Sequence, residues 1–332
     1  MNQAIALALA EEMERDPSVV LLGEDVAEAE GPFKTSEHLV QRFGPVRVRD
    51  TPISEMGFLG AAVGAALTGL RPVVEIMFVE FLGVAMDQLL TEAALMHYLS
   101  AGRLSVPLTV RTSVGSGLGF GCQHSQTLER WFLGTPGLKV AVPSGARTAY
   151  GLTKAAIRNA DPVVLLEPRS LYGRREDFNP GEDAVFDLGI AEVISEGADV
   201  TLVTLGQTVG ISAEAAANAG WSADLIDLRT IQPWDKEAVL SSVRKTRRLV
   251  TVEENQFTAG WGSTVVSEVV SRCHGQLLVP PMRVTAPDAH VPYGPELERR
   301  FVPSSDYVES QVTKLLETGA LPSAWWEDEL RV

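Results

Sequence analysis

The chain has 332 residues, 45% hydrophobic and 21% charged, which is enough for two ordinary domains with separate cores. Its formal net charge of −15 excludes a nucleic-acid binder, because phosphates would be repelled, but leaves room for basic protein partners. No apolar run reaches the roughly 18 residues of a membrane span.

Met1–Glu14 lacks the basic start of a signal peptide and the arginines of a transit peptide. The two cysteines, Cys122 and Cys273, form no CxxC pair. Both features point to a cytoplasmic, reducing compartment.

Taken in order, helical and β-branched patterns alternate. A helix over Ala4–Arg15 precedes a strand over Val19–Leu22, which ends in Gly23-Glu24-Asp25. Ser36–Phe43 reads as a helix and Val46–Val48 as a strand. The stretch Asp50-Thr51-Pro52-Ile53-Ser54-Glu55 then opens a helix over Glu55–Leu70. A strand over Val73–Phe78, a long helix over Phe81–Leu99 and a strand over Leu108–Arg111 follow. The Gly-rich loop Gly115–Gly121 leads to a helix over Ser125–Phe132. Strands over Leu138–Val142 and Val163–Glu167 flank a helix over Arg147–Asn159. Such alternation predicts an α/β fold with a largely parallel sheet covered on both faces.

From Pro168 to Asp183 turn-forming residues interrupt the pattern, which then resumes. The second half reads as strands over Val200–Leu205, Asp224–Asp227 and Arg248–Val252. Helices over Val209–Asn218, Lys236–Arg244 and Gly260–Cys273 accompany them. The boundaries expected are 1–175, a linker at 176–188, and 189–332. The closing Trp325-Trp326-Glu327-Asp328-Glu329 reads as a frayed tail or a docking strip.

Three features invite chemistry, and each has a plainer reading. Glu55 is either a capping charge worth about 0.3–1 kcal/mol or a carboxylate held for catalysis. The small residues that follow, Gly60, Gly64 and Thr68 on one line and Ala61, Ala65 and Gly69 on the next, permit close helix approach. Each helical glycine costs about 1 kcal/mol against alanine, so packing within the domain or against another subunit must offset it. His124, between the Gly-rich loop and a predicted helix start, is either structural or a site residue.

A dinucleotide fingerprint fails in the Gly-rich loop. GxGxxG begun at Gly115 meets Phe120, and begun at Gly117 it meets Cys122. A nicotinamide or flavin electron carrier is therefore disfavoured. No HExxH or spaced Ser-His-Asp set occurs.

The ordered motifs Leu22-Gly23-Glu24-Asp25, Asp50–Phe58, Arg71–Phe78, Gln123-His124-Ser125-Gln126, Pro136–Val140 and Asp227–Asp235 carry a resemblance over nearly the whole chain. They resemble the β subunit of the thiamine-diphosphate-dependent decarboxylase component of 2-oxo acid dehydrogenase complexes. The resemblance implies a transketolase-like pyrimidine-binding domain followed by a transketolase C-terminal-like domain. It implies that Glu55 contacts N1′ of the aminopyrimidine, that Phe81 stacks on that ring beside Ile53, and that His124 serves the substrate carboxylate and lipoyl transfer. Glu24 matches an acidic residue in a proton relay between active sites. Backbone carbonyls of Leu108, Ala156, Asn159 and Asp161 match a potassium-type site.

The helix after Glu55 would then pack at a β–β contact. The Gly-Asp-Gly…Asn-Asn motif that anchors diphosphate and Mg2+ is missing, which implies an α subunit carrying it, in a heterotetramer of two α and two β subunits. A lipoyl acyltransferase core is the further implied partner. Pyruvate is the favoured substrate, with branched-chain 2-oxo acids, acetoin or a non-catalytic scaffold as alternatives. One departure stands out: relatives commonly have Asp-Ala-Lys-Gly where this chain has Thr148-Ala149-Tyr150-Gly151.

Overall fold

A computed structural model describes residues 1–181 and 184–329. Asp183, at the end of the interrupted stretch, and part of the 176–188 linker lie outside the described residues. The chain forms two compact units that are not contiguous stretches of sequence. The first comprises Met1–Gly115, Trp131–Leu188 and Thr230–Pro233; the second comprises Ser116–Arg130, Gly189–Arg229 and Trp234–Val332.

The first unit opens with α1 (Asn2–Arg15), β1 (Val19–Gly23), α2 (Leu39–Phe43) and β2 (Val48–Asp50). Then come α3 (Glu55–Leu67), β3 (Arg71–Phe78), α4 (Leu82–Met86), α5 (Met96–Leu99) and β4 (Thr109–Val114). It continues through β5 (Lys139–Ala141), α6 (Ala146–Arg158) and β6 (Val163–Pro168). The second unit contributes β7 (Glu192–Ser195), β8 (Val200–Thr204), α7 (Gln207–Asn218) and β9 (Ala223–Asp227). After these, β10 (Thr230–Gln232) returns to the first unit. The remainder is α8 (Lys236–Thr246), β11 (Leu249–Gln256), α9 (Gly262–Cys273), β12 (Met282–Ala286), α10 (Pro295–Phe301), α11 (Ser305–Thr318) and α12 (Trp325–Glu329).

The first sheet has the order β10-β5-β6-β4-β3-β1-β2, all parallel except β10. β4 and β6 are buried along their whole length, as strands covered on both faces must be. α1 and the strands behind it form one core through Ile5, Leu9, Met13, Val19, Leu21 and Val73. The second sheet has the order β12-β11-β8-β9-β7, with β7 an antiparallel edge. Its core joins Val200, Leu202, Val250, Val252, Val308 and Leu315.

Two expected helices are corrected. Phe81–Leu99 is not one α-helix: α4 gives way to a π-helical stretch over Asp87–Ala93, and α5 resumes after a break. Gly137 packs against the break, where a Cβ would lie 2.1 Å from the Ala94 carbonyl oxygen. The backbone of Gly137 therefore passes where a regular helix and a side chain could not both fit. Ser125–Phe132 forms only a 3₁₀ turn over Glu129–Trp131. The strand expected at Val46–Val48 starts instead at Val48.

The tail is not a loose strip. Trp325 and Trp326 are half-buried and meet edge-on at 5.8 Å, and Arg300 lies 4.9 Å from the Trp325 ring centre. The departure at Thr148 also has a local reason. Its hydroxyl accepts the N–H groups of Ser144 and Gly145 at 2.8 and 2.9 Å, closing the start of α6.

Candidate functional site

In the first sheet the chain leaves β1 for β2 on one side and returns to β3 on the other. That reversal opens a crevice at the carboxyl ends of β1 and β3, the usual ligand position in an open parallel sheet. Gly23 ends β1 where a Cβ would lie 2.7 Å from the Glu75 carbonyl oxygen, so the turn can run close to β3. Glu24 follows at once. Asp50, ending β2, accepts the N–H groups of Ala27 and Glu28 at 2.7 and 3.1 Å and ties down the segment after Glu24.

Glu55 is the first residue of α3 and is buried, at 9% exposure. The acidic group stands in the first turn, where the helix dipole favours it. Glu24 Oε1 is buried with no hydrogen-bond partner among the described residues. Burial, then the charges of Glu55 and Asp25, push the Glu24 carboxyl above its ordinary range.

Phe81 follows β3 and is half-buried, edge-on to Phe78 at 5.8 Å. Phe78 meets Phe33 edge-on at 6.1 Å, and Phe33 stacks on Tyr172 at 5.1 Å. Beneath this ladder Arg111 is held between Glu167, at 2.8 and 3.0 Å, and Glu75, at 2.8 Å. Ile53 is 84% exposed, unusual for so large an apolar side chain.

Glu24, Ile53, Glu55 and Phe81 thus all belong to the first unit and follow three adjacent parallel strands. Two carboxyl groups with an unsatisfied buried oxygen, together with aromatic and aliphatic side chains, suit a protonatable heteroaromatic ring.

His124 belongs to the second unit. It is half-buried and closes the 3₁₀ turn Gly121–Gln123, its N–H donating to the Gly121 carbonyl at 3.3 Å. The residues that hold this loop, Glu254, Tyr293 and Glu298, are absent from any local motif and could not be read from the sequence.

Ala156, Asn159 and Asp161 gather at the end of α6, and the Leu108 carbonyl accepts the Val163 N–H beside them at 2.9 Å. Arg71 already donates to the Asn159 carbonyl at 3.0 Å and to those of Ile157 and Arg158 at 3.0 and 2.7 Å. Lys139 reaches Asn159 Oδ1 at 2.9 Å and Asp161 at 3.0 Å. Carbonyl oxygens with a second lone pair suit a hard cation, but two cationic side chains already neutralise this end of α6. No group of three His, Cys, Asp or Glu side chains among the described residues could hold a metal.

Residues 1–175 match the transketolase pyrimidine-binding domain, and residues 189–308 match the transketolase C-terminal domain. The chain is 45% identical to the pyruvate dehydrogenase E1 component subunit beta-2, mitochondrial, of Oryza sativa subsp. japonica, over 92% of this chain and 83% of that protein. This chain belongs to the transketolase-like dehydrogenase β-subunit family. Another member of that family is the acetoin:2,6-dichlorophenolindophenol oxidoreductase subunit beta of Bacillus subtilis (strain 168). It is 38% identical, with 97% of this chain and 98% of that one covered. Among solved structures, a split gene transketolase described as an inactive beta4 tetramer has a TM-score of 0.77 at 26% identity, covering 95% of this chain and 97% of its own.

Proposed function

We propose that this family member is the β subunit of a thiamine-diphosphate-dependent 2-oxo acid dehydrogenase, acting on pyruvate. The observation that supports this most directly is the 45% identity, over 92% of the chain, with a protein named as a pyruvate dehydrogenase β subunit. The reaction is oxidative decarboxylation with transfer of the acyl group to a lipoyl acceptor. The working unit is a heterotetramer with an α subunit that carries the diphosphate and Mg2+ site. The pronounced acidity of the chain suits a basic docking segment of the acyltransferase core.

The cofactor, when bound, would supply an acidic ring carbon whose deprotonated form is nucleophilic toward a keto group. Glu55, at a buried helix start, would hold ring N1′ by a hydrogen bond and so control its protonation. Phe81 and Ile53 provide the apolar faces that orient the ring and exclude water. Glu24, whose carboxyl keeps its proton more readily than a free glutamate, serves a proton relay between the active sites. His124 binds the substrate carboxylate and then assists acyl transfer to lipoyl. A potassium-type ion at the carbonyls of Leu108, Ala156, Asn159 and Asp161 would brace the end of α6, in competition with Arg71.

Acetoin is the second reading, supported by the Bacillus subtilis relative. A non-catalytic scaffold of the same fold is the third. Turnover by the chain purified with its α partner, on pyruvate, branched-chain 2-oxo acids and acetoin with a dye acceptor, separates the three. Pyruvate should give the highest kcat/KM; no turnover on any of them would overturn the enzyme reading. No helix among the described residues is long and apolar enough to cross a membrane. We place the complex in the cytoplasm, which cell fractionation checks, since the rice relative is named as mitochondrial.

A further inference from the structure

Residues Gly117 to Phe120 are exposed, yet their backbone is held from beneath by buried carboxylates of the second unit. Glu298 on α10, only 5% exposed, accepts the Gly117 N–H on Oε1 at 2.8 Å and the Gly119 N–H on Oε2 at 3.0 Å and Oε1 at 3.3 Å. Glu254 on β11 accepts the Ser116 N–H at 2.9 Å. Gly117 and Gly119 have φ of +103° and +75°, so successive N–H groups turn to one side and form a concave anion-binding nest. The nest is filled by the protein's own carboxylate.

Further along, the Tyr293 ring lies where a Cβ on Gly121 would be, 2.1 Å from its nearest atom. The 3₁₀ turn Gly121–Gln123 leads directly into His124, and Gln126 ties back to the Cys122 carbonyl at 3.1 Å.

We propose that Glu298 is a positioning residue for His124, acting through the amides of Gly117 and Gly119. The clamp stands on geometry alone; its consequence for substrate rests on the role given to His124 above. Glu298 is distant in sequence and touches no expected cofactor group, while the neighbouring Arg299 pairs with Glu296. Its carboxylate is spent on two amides. A hydrogen bond to a charged group is strong enough that its loss should free the loop by about ten- to hundredfold.

Hydrogen exchange of the full chain, followed by mass spectrometry of peptides spanning 115–121, tests the clamp. In Glu298→Gln, which keeps the shape but turns an NH2 toward one amide, exchange in that peptide should quicken about tenfold or more. Peptides of β8 should exchange as in wild type, which shows that the fold is kept. Glu298→Asp should fall between the two, and Glu296→Gln on the same exposed helix should change nothing. The Cys122 thiol should also label faster, against buried Cys273 as an internal standard.

Paired with the α subunit, Glu298→Gln should raise KM for the 2-oxo acid about tenfold without changing the half-saturating concentration of thiamine diphosphate. A protein that was merely less stable would not split the two. Unchanged exchange at 115–121, or faster exchange with unaltered KM, overturns the proposal. If His124→Gln also leaves KM untouched, the role assigned to His124 is what fails, while the exchange result still decides the clamp.

Discussion

Arg111 carries one positive charge between two buried carboxylates, Glu75 and Glu167, with Tyr172 donating to Glu167 at 2.7 Å and Thr35 to Glu75 at 2.9 Å. Burial works against its charge, but Glu167 and Glu75 outweigh burial and hold the guanidinium ionised. Removing it would strand two carboxylates without a counter-charge. Arg111→Met should cost about 3–5 kcal/mol in urea unfolding; a loss below about 1 kcal/mol would contradict this. Glu129 is the opposite case. Burial first, and the charges of Glu254 and Glu253 after it, push its carboxyl up to about 8. From the ordinary carboxylate range up to that value the folded chain holds a proton that the unfolded chain releases, so stability falls as pH rises through this window. Between pH 6 and 9 the melting temperature of the wild type should drop more steeply than that of Glu129→Gln, and parallel curves would argue against the assignment. Neither residue stood out in the sequence. Arg111 closed a predicted strand, and its carboxylate partners lie on β3 and β6, neighbours known only once the strand order is.

At the level of the elements, the small residues of α3 stand in two different settings. A Cβ on Gly60 would meet Gln88 Oε1 at 2.9 Å, so this glycine serves packing within its own unit, while a Cβ on Gly64 would meet nothing within 4 Å. The plain reading therefore holds at Gly60, and the proposed subunit contact would use the open face at Gly64. Gly64→Leu should raise helix propensity yet weaken the proposed β–β contact. Sedimentation of the full complex should show a shift toward single αβ pairs, and an unchanged assembly would show that this face is not used. Most strands were legible because buried parallel strands read as unbroken apolar runs. The carboxylate at the start of α3 was legible for the same reason, as a charge where the pattern called for none. The helices lost or added follow packing instead. Gly137 packs closely on Ala94 at the break, and the loop carrying His124 is held by Glu254, Tyr293 and Glu298. α11 was readable but unread: Ser304 caps it by accepting the Tyr307 N–H at 3.2 Å, and Gly319 ends it at φ +69°.

Over the whole molecule, the two units trade segments of chain. Thr230–Gln232 adds the antiparallel edge strand to the first sheet by pairing with β5, while Ser116–Arg130 belongs to the second unit. Local periodicity cannot reveal such an exchange, because each segment looks like its neighbours in sequence. A fragment ending at Leu188 would lack β10 and leave β5 as a bare edge, open to pairing with other copies. Such a fragment should aggregate at concentrations where the full chain does not; a monomeric fragment with an unchanged melting temperature would show that the edge strand is dispensable.

The central claim is that Glu55 faces the cofactor ring rather than merely capping α3. Its most direct test is kcat for Glu55→Asp and Glu55→Gln in the complex with the α subunit, on pyruvate. Aspartate preserves the cap and the charge but shortens the reach, and glutamine preserves the reach without the carboxylate. The account predicts a fall of about a hundredfold or more in both, with assembly and melting temperature within error of wild type. Activity in Glu55→Asp equal to that of the wild type would make Glu55 a helix cap and nothing else.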